Sequence, residues 1–115
     1  MIKVSIYKNT NNLITGFKVL GHANYAEHGS DVVCAAVSVL VINTINSIDK
    51  FTSDTFDVQE DEDKGLIEFY MVDSVSNEGN LLLNSLALGL QGIEDEYEGK
   101  YIKISEQIRS DKLVE

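Results

Sequence analysis

Cys34 is the single cysteine of the chain and its candidate nucleophile. It lies near the start of a predicted helix, where unpaired N–H groups and the helix dipole stabilise a thiolate. Cysteine is also among the most buried residue types, and its neighbours from Val32 to Val37 are typical of a protein core. Taken alone, Cys34 fits either a reactive thiol or a packed core side chain.

His22 precedes Cys34 on a loop that follows a predicted strand and Gly21. An imidazole on such a loop can fold back over the helix start, take the thiol proton and form an ion pair with the thiolate. His28 lies in the same loop as a rival, and a surface position suits either histidine. From spacing alone, a Cys34–His22 dyad and a chance combination of residue types stay equally open.

Neighbouring residues are expected to support such a site. Asp31 can orient the imidazole as a third member or stabilise the helix start, and we favour capping. Ser38 lies one turn after Cys34, where it can line the site or bond back to the Cys34 carbonyl inside the helix. Gly21 either lets the histidine loop close over a bound peptide or supplies the positive φ of a turn.

The periodicity of apolar residues predicts the elements that must position these side chains. The predicted strands are Ile2–Tyr7, Ile14–Gly21, Phe56–Gln59, Leu66–Val72 and Tyr101–Ile104, and the predicted helices run from Ser30 or Asp31 to about Asp49 and from Asn77 or Glu78 to Glu98. An acidic turn over residues 60–65 separates the third and fourth strands. The order ββαββαβ predicts a single α+β domain over residues 1–115, with two helices on a mainly antiparallel sheet. The order of the strands in the sheet stays open.

Composition excludes several classes of function. The 115 residues carry a formal net charge of −10, which repels nucleic-acid phosphates and attracts a basic protein or peptide. One cysteine and two histidines cannot form a disulfide or a four-ligand Cys/His zinc site, so we expect no metal and no cofactor. The longest apolar stretch, Val32–Ile42, is too short to span a bilayer, and the N-terminus lacks a secretory signal, which predicts a cytoplasmic protein with no membrane partner.

Two short patterns flank the histidine loop: Gly21-His22-Ala23, and Gly29-Ser30-Asp31-Val32-Val33-Cys34-Ala35-Ala36-Val37-Ser38. Together they resemble the hallmark of the ribosomal-processing cysteine protease family, Prp, which is a Gly-His-Ala triplet followed by Gly-x-Asp-[Ile/Val]-Val-Cys-[Ala/Ser]-Ala-x-Ser. The chain length and the element order also suit that family. Only residues from about 20 to 40 carry specific resemblance.

The resemblance implies that Cys34 is the nucleophile and that His22 is its general base and later its acid. It implies a cysteine endopeptidase that removes the N-terminal extension of a bacterial large-subunit ribosomal protein precursor, and that forms a homodimer. The remaining positions expected to bind substrate or support the reaction are Gly21, Ala23, Asp31 and Ser38. His28 is not a hallmark position and receives no role.

Other classes of function share some of these features. A non-enzymatic acidic adaptor or chaperone could hold the same basic ribosomal protein through its net charge and an exposed sheet edge, without cutting it. A thiol redox sensor would use the same cysteine, but the chain has no second cysteine to resolve it. Turnover of a peptide substrate distinguishes the enzyme from both.

Overall fold

The computed structural model describes residues 1–22 and 30–109, and its elements follow the predicted order ββαββαβ. These elements are β1 (Ile2–Lys8), β2 (Ile14–Leu20), α1 (Ser30–Phe51), β3 (Phe56–Asp61), β4 (Leu66–Met71), α2 (Asn77–Glu96) and β5 (Ile102–Ile108). The predicted α+β class, with two helices and a mainly antiparallel sheet, is confirmed.

The five strands form one sheet in the order β3-β4-β2-β1-β5. β2 is antiparallel to β1 on one side and to β4 on the other, and β3 is antiparallel to β4. β5 pairs with β1 in parallel, because the crossover through α2 returns the chain to the end of the sheet where β1 begins. The start of β1, the end of β2 and the β3–β4 turn therefore all lie at the same end of the sheet.

The core lies between one sheet face and the two helices. Phe17, Phe69 and Phe56 form its aromatic centre, with ring centroids 5.2 Å apart for Phe17 and Phe69 and 4.9 Å apart for Phe56 and Phe69. Val4 of β1 and Leu90 of α2 are buried in the same cluster. Stacked aromatic rings bury large apolar areas, so this cluster supplies much of the driving force for folding.

α1 presents the predicted apolar stripe to this core. Val33, Val37, Val41 and Ile48 are buried in it. The helix is longer than the apolar stretch Val32–Ile42. By length and composition alone, its segment Asp31–Phe51 could cross a membrane. A core helix of a globular domain has the same composition, and the burial of its inner face fits that role.

Several element boundaries differ from the predicted ones, by one to four residues. β3 continues to Asp61, because Glu60 and Asp61 pair with β4, and this shortens the acidic turn to residues 62–65. α2 ends at Glu96, since Glu98 and Gly99 have φ of 57° and 70° and cannot continue a helix. β5 extends beyond the predicted Ile104 as far as Ile108, because it pairs with the whole length of β1.

Replacing Phe69 by alanine tests the aromatic centre. Phe69 is fully buried between two rings, so Phe69→Ala should lower the free energy of unfolding by about 3–5 kcal/mol. Phe51→Ala is the matched control: the Phe51 side chain is 69% exposed, and its loss should change stability by less than about 0.5 kcal/mol. Urea denaturation followed by circular dichroism measures both values, and equal losses would contradict this assignment of the core.

Candidate active site

Cys34 is half-buried and opens the second turn of α1, whose first residue is Ser30. Cys34 thus lies near the start of the helix, one residue beyond its first turn. Only the N–H groups of the first turn lack helical acceptors, so the N–H of Cys34 belongs to the hydrogen-bonded part of the helix. Because helical side chains lean toward the N-terminus, the thiol is directed back over the first turn, whose N–H groups lack acceptors within the helix.

The backbone at His22 is tied to the sheet on two sides. The N–H of Gly21 donates to the carbonyl oxygens of Lys64 and Gly65 at 3.2 and 3.1 Å, on the side of β4. The carbonyl oxygen of His22 accepts a hydrogen bond from the Met1 nitrogen at 2.8 Å, on the side of β1. Both bonds lie beyond the last residue of β2, so His22 occupies a defined position at the end of the sheet.

Gly21 adopts a φ of +98°, which confirms that a turn with positive φ requires this glycine. A Cβ atom at this position would also lie 2.7 Å from the carbonyl oxygen of Met1. The alternative reading of Gly21 as part of a closing loop concerns residues 23–29, which lie outside the described residues.

His22 and Cys34 line one cleft of about 430 Å³ between α1 and the sheet. Its α1 wall includes Ser38, and most of the remaining lining is apolar, formed by Ile2, Val19, Val37, Val41, Ile42, Leu66 and Ile67. The cleft can therefore place an apolar side chain of a ligand beside a thiol and an imidazole. A thiol and an imidazole are the two groups that nucleophilic catalysis by cysteine uses.

Of the other candidate residues, two line the cleft and one lies outside it. Gly21 and Ser38 line the cleft together with His22 and Cys34. Asp31 is exposed in the first turn of α1, where an acid interacts favourably with the helix dipole, and it is not among the described residues that line the cleft. Ala23 and His28 lie outside the described residues.

Glu60, Glu62 and Gly65 also line the cleft, although no sequence pattern connects them with Cys34. The acidic turn was recognisable as a charged segment, but only the pairing of β4 with β2 brings it next to His22. Both glutamate side chains are exposed, and neither forms a salt bridge with a cation in the described part of the chain. The mouth of the cleft is therefore negatively charged.

A second cleft, of about 400 Å³, lies at the opposite end of the sheet. Tyr7 lines it, donating its hydroxyl to Glu68 at 2.8 Å while the Arg109 guanidinium lies 3.7 Å from the ring centroid. Burial, and next the hydrogen bond to Glu68, raise the pKa of Tyr7 far above its ordinary value. A phenol held in its protonated form is a poor base, so this cleft does not offer the chemistry of the first.

Comparison with known proteins gives a consistent result. The sequence model of a family described as "Cysteine protease Prp" matches residues 1–103. The "Ribosomal processing cysteine protease Prp" of Staphylococcus aureus (strain Mu50 / ATCC 700699) is 35% identical over 97 residues, covering 84% of this chain and 92% of the relative. The protein of the same name from Bacillus subtilis (strain 168) is 32% identical over 101 residues, covering 84% and 90%.

A solved structure supports the same likeness at the level of the fold. The crystal structure of an essential ribosomal processing protease Prp from S. aureus, in complex with a covalently linked product peptide, has a TM-score of 0.84 and 33% identity to this chain. The alignment covers 93% of this chain and 100% of the other.

Proposed function

The chain belongs to the cysteine protease Prp family and is a cysteine protease, and from this premise we propose that it removes the N-terminal extension of a bacterial large-subunit ribosomal protein precursor. The observation that carries the proposal is that the single cysteine and His22 line one largely apolar cleft. Relatives named for ribosomal processing support the class of substrate. The non-enzymatic adaptor is set aside, because the family consists of proteases.

In the proposed reaction, Cys34 and His22 act as a dyad. His22 takes the proton of the Cys34 thiol, and the sulfur attacks the carbonyl carbon of the scissile peptide bond. As the C–N bond breaks, the imidazolium returns its proton to the leaving amine and a thioester remains on Cys34. His22 then removes a proton from water, whose oxygen attacks the thioester and releases the acid and the thiol. Protein groups and water suffice for these steps, so we propose no cofactor and no metal.

The first turn of α1 supplies the proposed oxyanion donors. Its N–H groups have no helical acceptors and the thiol is directed over them, so the oxygen of the tetrahedral intermediate can develop its charge near the positive end of the helix. Asp31 in this turn stabilises the helix start rather than orienting His22, since it does not line the cleft. Ser38 lines the cleft one turn further along and can contact the bound peptide.

The charges at the cleft mouth fit a basic substrate. Glu60 and Glu62 face the peptide-binding cleft, and the whole chain carries a formal net charge of −10. This field accelerates the encounter with a basic ribosomal protein and opposes direct binding to RNA. We accordingly place the reaction in the cytoplasm, on the free precursor.

A homodimer is the proposed assembly. The outer faces of the two helices expose the apolar side chains Val32, Val39, Leu81 and Leu88, each at least 59% accessible. Leu40 contacts the position of Gly89, so the exposed Val39 and Leu88 lie on adjacent parts of the two helices. An apolar face of this kind is stabilised when a second copy covers it.

The dyad predicts equal losses of activity on removal of either partner. Cys34→Ala, His22→Ala and the double variant should each cleave the extended precursor at least about 10³-fold more slowly than the unaltered protein, because the two groups act as one unit. The mass of the product identifies the cut, and circular dichroism verifies folding. Failure of the unaltered protein to shorten the precursor would contradict the proposed substrate. Activity that persists in His22→Ala but is lost in His28→Ala would move the base to His28.

The acidic cleft mouth predicts a salt-dependent reaction. The kcat/KM for the basic precursor should fall as salt rises, since screening weakens interactions of exposed charges beyond about 10 Å at 0.1 M ionic strength. Glu60→Gln combined with Glu62→Gln should lower kcat/KM about three- to tenfold at low salt and flatten the salt dependence. The matched control, Asp49→Asn with Asp57→Asn, removes the same charge at the far ends of α1 and β3. If the control behaves like the cleft variant, only the net charge matters.

The proposed dimer predicts a mass near twice the 12.8 kDa of one chain in light scattering coupled to gel filtration. Val39→Glu and Leu88→Glu should each shift the protein to monomers, because a carboxylate would be buried in the apolar interface. Ile108→Glu, at an equally exposed site on β5, should leave the mass unchanged. Monomers formed only by Ile108→Glu would move the interface to the β5 edge.

A further inference from the structure

The β3–β4 turn is closed by hydrogen bonds between its own residues. The Asp61 carboxylate accepts hydrogen bonds from the N–H groups of Asp63 at 3.1 Å and Lys64 at 3.4 Å. The N–H of Gly65 donates to the carbonyl oxygen of Glu62 at 3.1 Å and closes the turn. Gly65 then leaves the turn with a φ of +63°, the left-handed conformation that glycine adopts without strain.

This turn forms the surface against which His22 lies. A Cβ atom at position 65 would be 2.6 Å from the carbonyl oxygen of Gly21, 2.8 Å from Nε2 of His22 and 2.9 Å from Cε1 of His22. Such distances are far below ordinary van der Waals contact. The Nε2–Cε1 edge of the imidazole therefore packs on the bare backbone of Gly65, in space that any other residue would fill.

Gly99 has the same left-handed backbone conformation as Gly65 but lies away from the candidate active site. Its φ is +70° and it follows the C-terminus of α2, where it donates to the carbonyl oxygen of Glu94 at 2.9 Å. A Cβ atom there would meet the end of the flexible Lys103 side chain. Gly99 thus meets a conformational need, whereas Gly65 meets the same need and also leaves room for the histidine ring.

We propose that Gly65 is a positioning residue for His22: the glycine of the β3–β4 turn fixes the position and orientation of the imidazole ring relative to Cys34. The inference rests on the proposed role of His22 as general base. It adds that the orientation of this base depends on a turn more than forty positions away in sequence.

The test compares variants that separate strain from crowding. Gly65→Ala introduces both an unfavourable φ and the Cβ atom. Gly65→Asn keeps the Cβ atom but tolerates the left-handed φ, because asparagine enters this region more readily than other side chains. Gly99→Ala and Gly99→Asn are the matched controls with the same φ and no contact with the site.

We expect Gly65→Ala and Gly65→Asn to lower kcat about 10- to 100-fold with KM little changed, and to shift the acidic limb of the pH–rate profile. Both Gly99 variants should retain kcat and the profile, although Gly99→Ala should lose stability like Gly65→Ala. A rescue of kcat by asparagine at position 65 would show that only backbone strain mattered, and would overturn the inference. Retention of full kcat by Gly65→Ala would overturn it as well.

A readout without catalysis keeps this inference separate from the proposed function. In NMR spectra of the folded Cys34→Ala protein, the His22 ring should show a nuclear Overhauser effect between Hε1 and the Gly65 α protons, and Gly65→Asn should shift the ring resonances. Absence of this contact would overturn the positioning role even if the protease is active. Its presence in a protein that fails to cleave the precursor would refute the proposed substrate alone and support the positioning role.

Discussion

The junction between the end of β2 and the β3–β4 turn is the contact on which the candidate active site depends. The N–H of Gly21 reaches the carbonyl oxygens of Lys64 and Gly65, and the carbonyl oxygen of His22 accepts from the Met1 nitrogen. These bonds extend the pairing of β2 with β4 and β1 beyond its last strand residue. A residue on a free loop samples many positions, whereas His22 is held by backbone contacts on both sides, which lowers the entropic cost of the role proposed for it as a base.

The cleft beside this junction lies between α1 and the end of the sheet at the β3–β4 turn. Along β4, Phe69 is sealed under aromatic rings, while Ile67 two residues earlier on the same face borders the cleft. The face of one strand thus changes from core to binding surface within a single repeat of the pleat. Cys34 lies at this boundary and is half-buried, which suits a thiol that must be shielded from bulk water and still meet a peptide.

The β3–β4 turn contributes to both the shape and the charge of the cleft. Gly65 accommodates the imidazole through the absence of a side chain, and Glu60 and Glu62 bring carboxylates to the same cleft. The turn can provide both the space and the charge because it is closed by its own backbone and by the Asp61 carboxylate. The side chains of Glu60 and Glu62 are not needed to close it and can face the cleft.

The order of the elements and the class of enzyme, a cysteine protease, could be predicted from the sequence, because both depend on local patterns. Alternation in β1 and β2, the buried stripe of α1, and a cysteine near a helix start are properties of neighbouring residues. The family hallmark likewise lies within one short segment, from Gly21 to Ser38. The sequence also placed the acidic turn between two strands, although it made the turn too long because it did not pair Glu60 and Asp61 with β4.

Only the tertiary structure decided what the distant elements do to one another. The parallel pairing of β5 with β1, the position of β4 beside β2, and the contact of Gly65 with His22 each join residues far apart in the chain. From the sequence alone, Gly65 is indistinguishable from an ordinary turn glycine. Its contact with His22 depends on the strand order, which no local pattern predicts. Such contacts are selected by the packing of the whole domain, where register and crossover must satisfy the core and the backbone hydrogen bonds together.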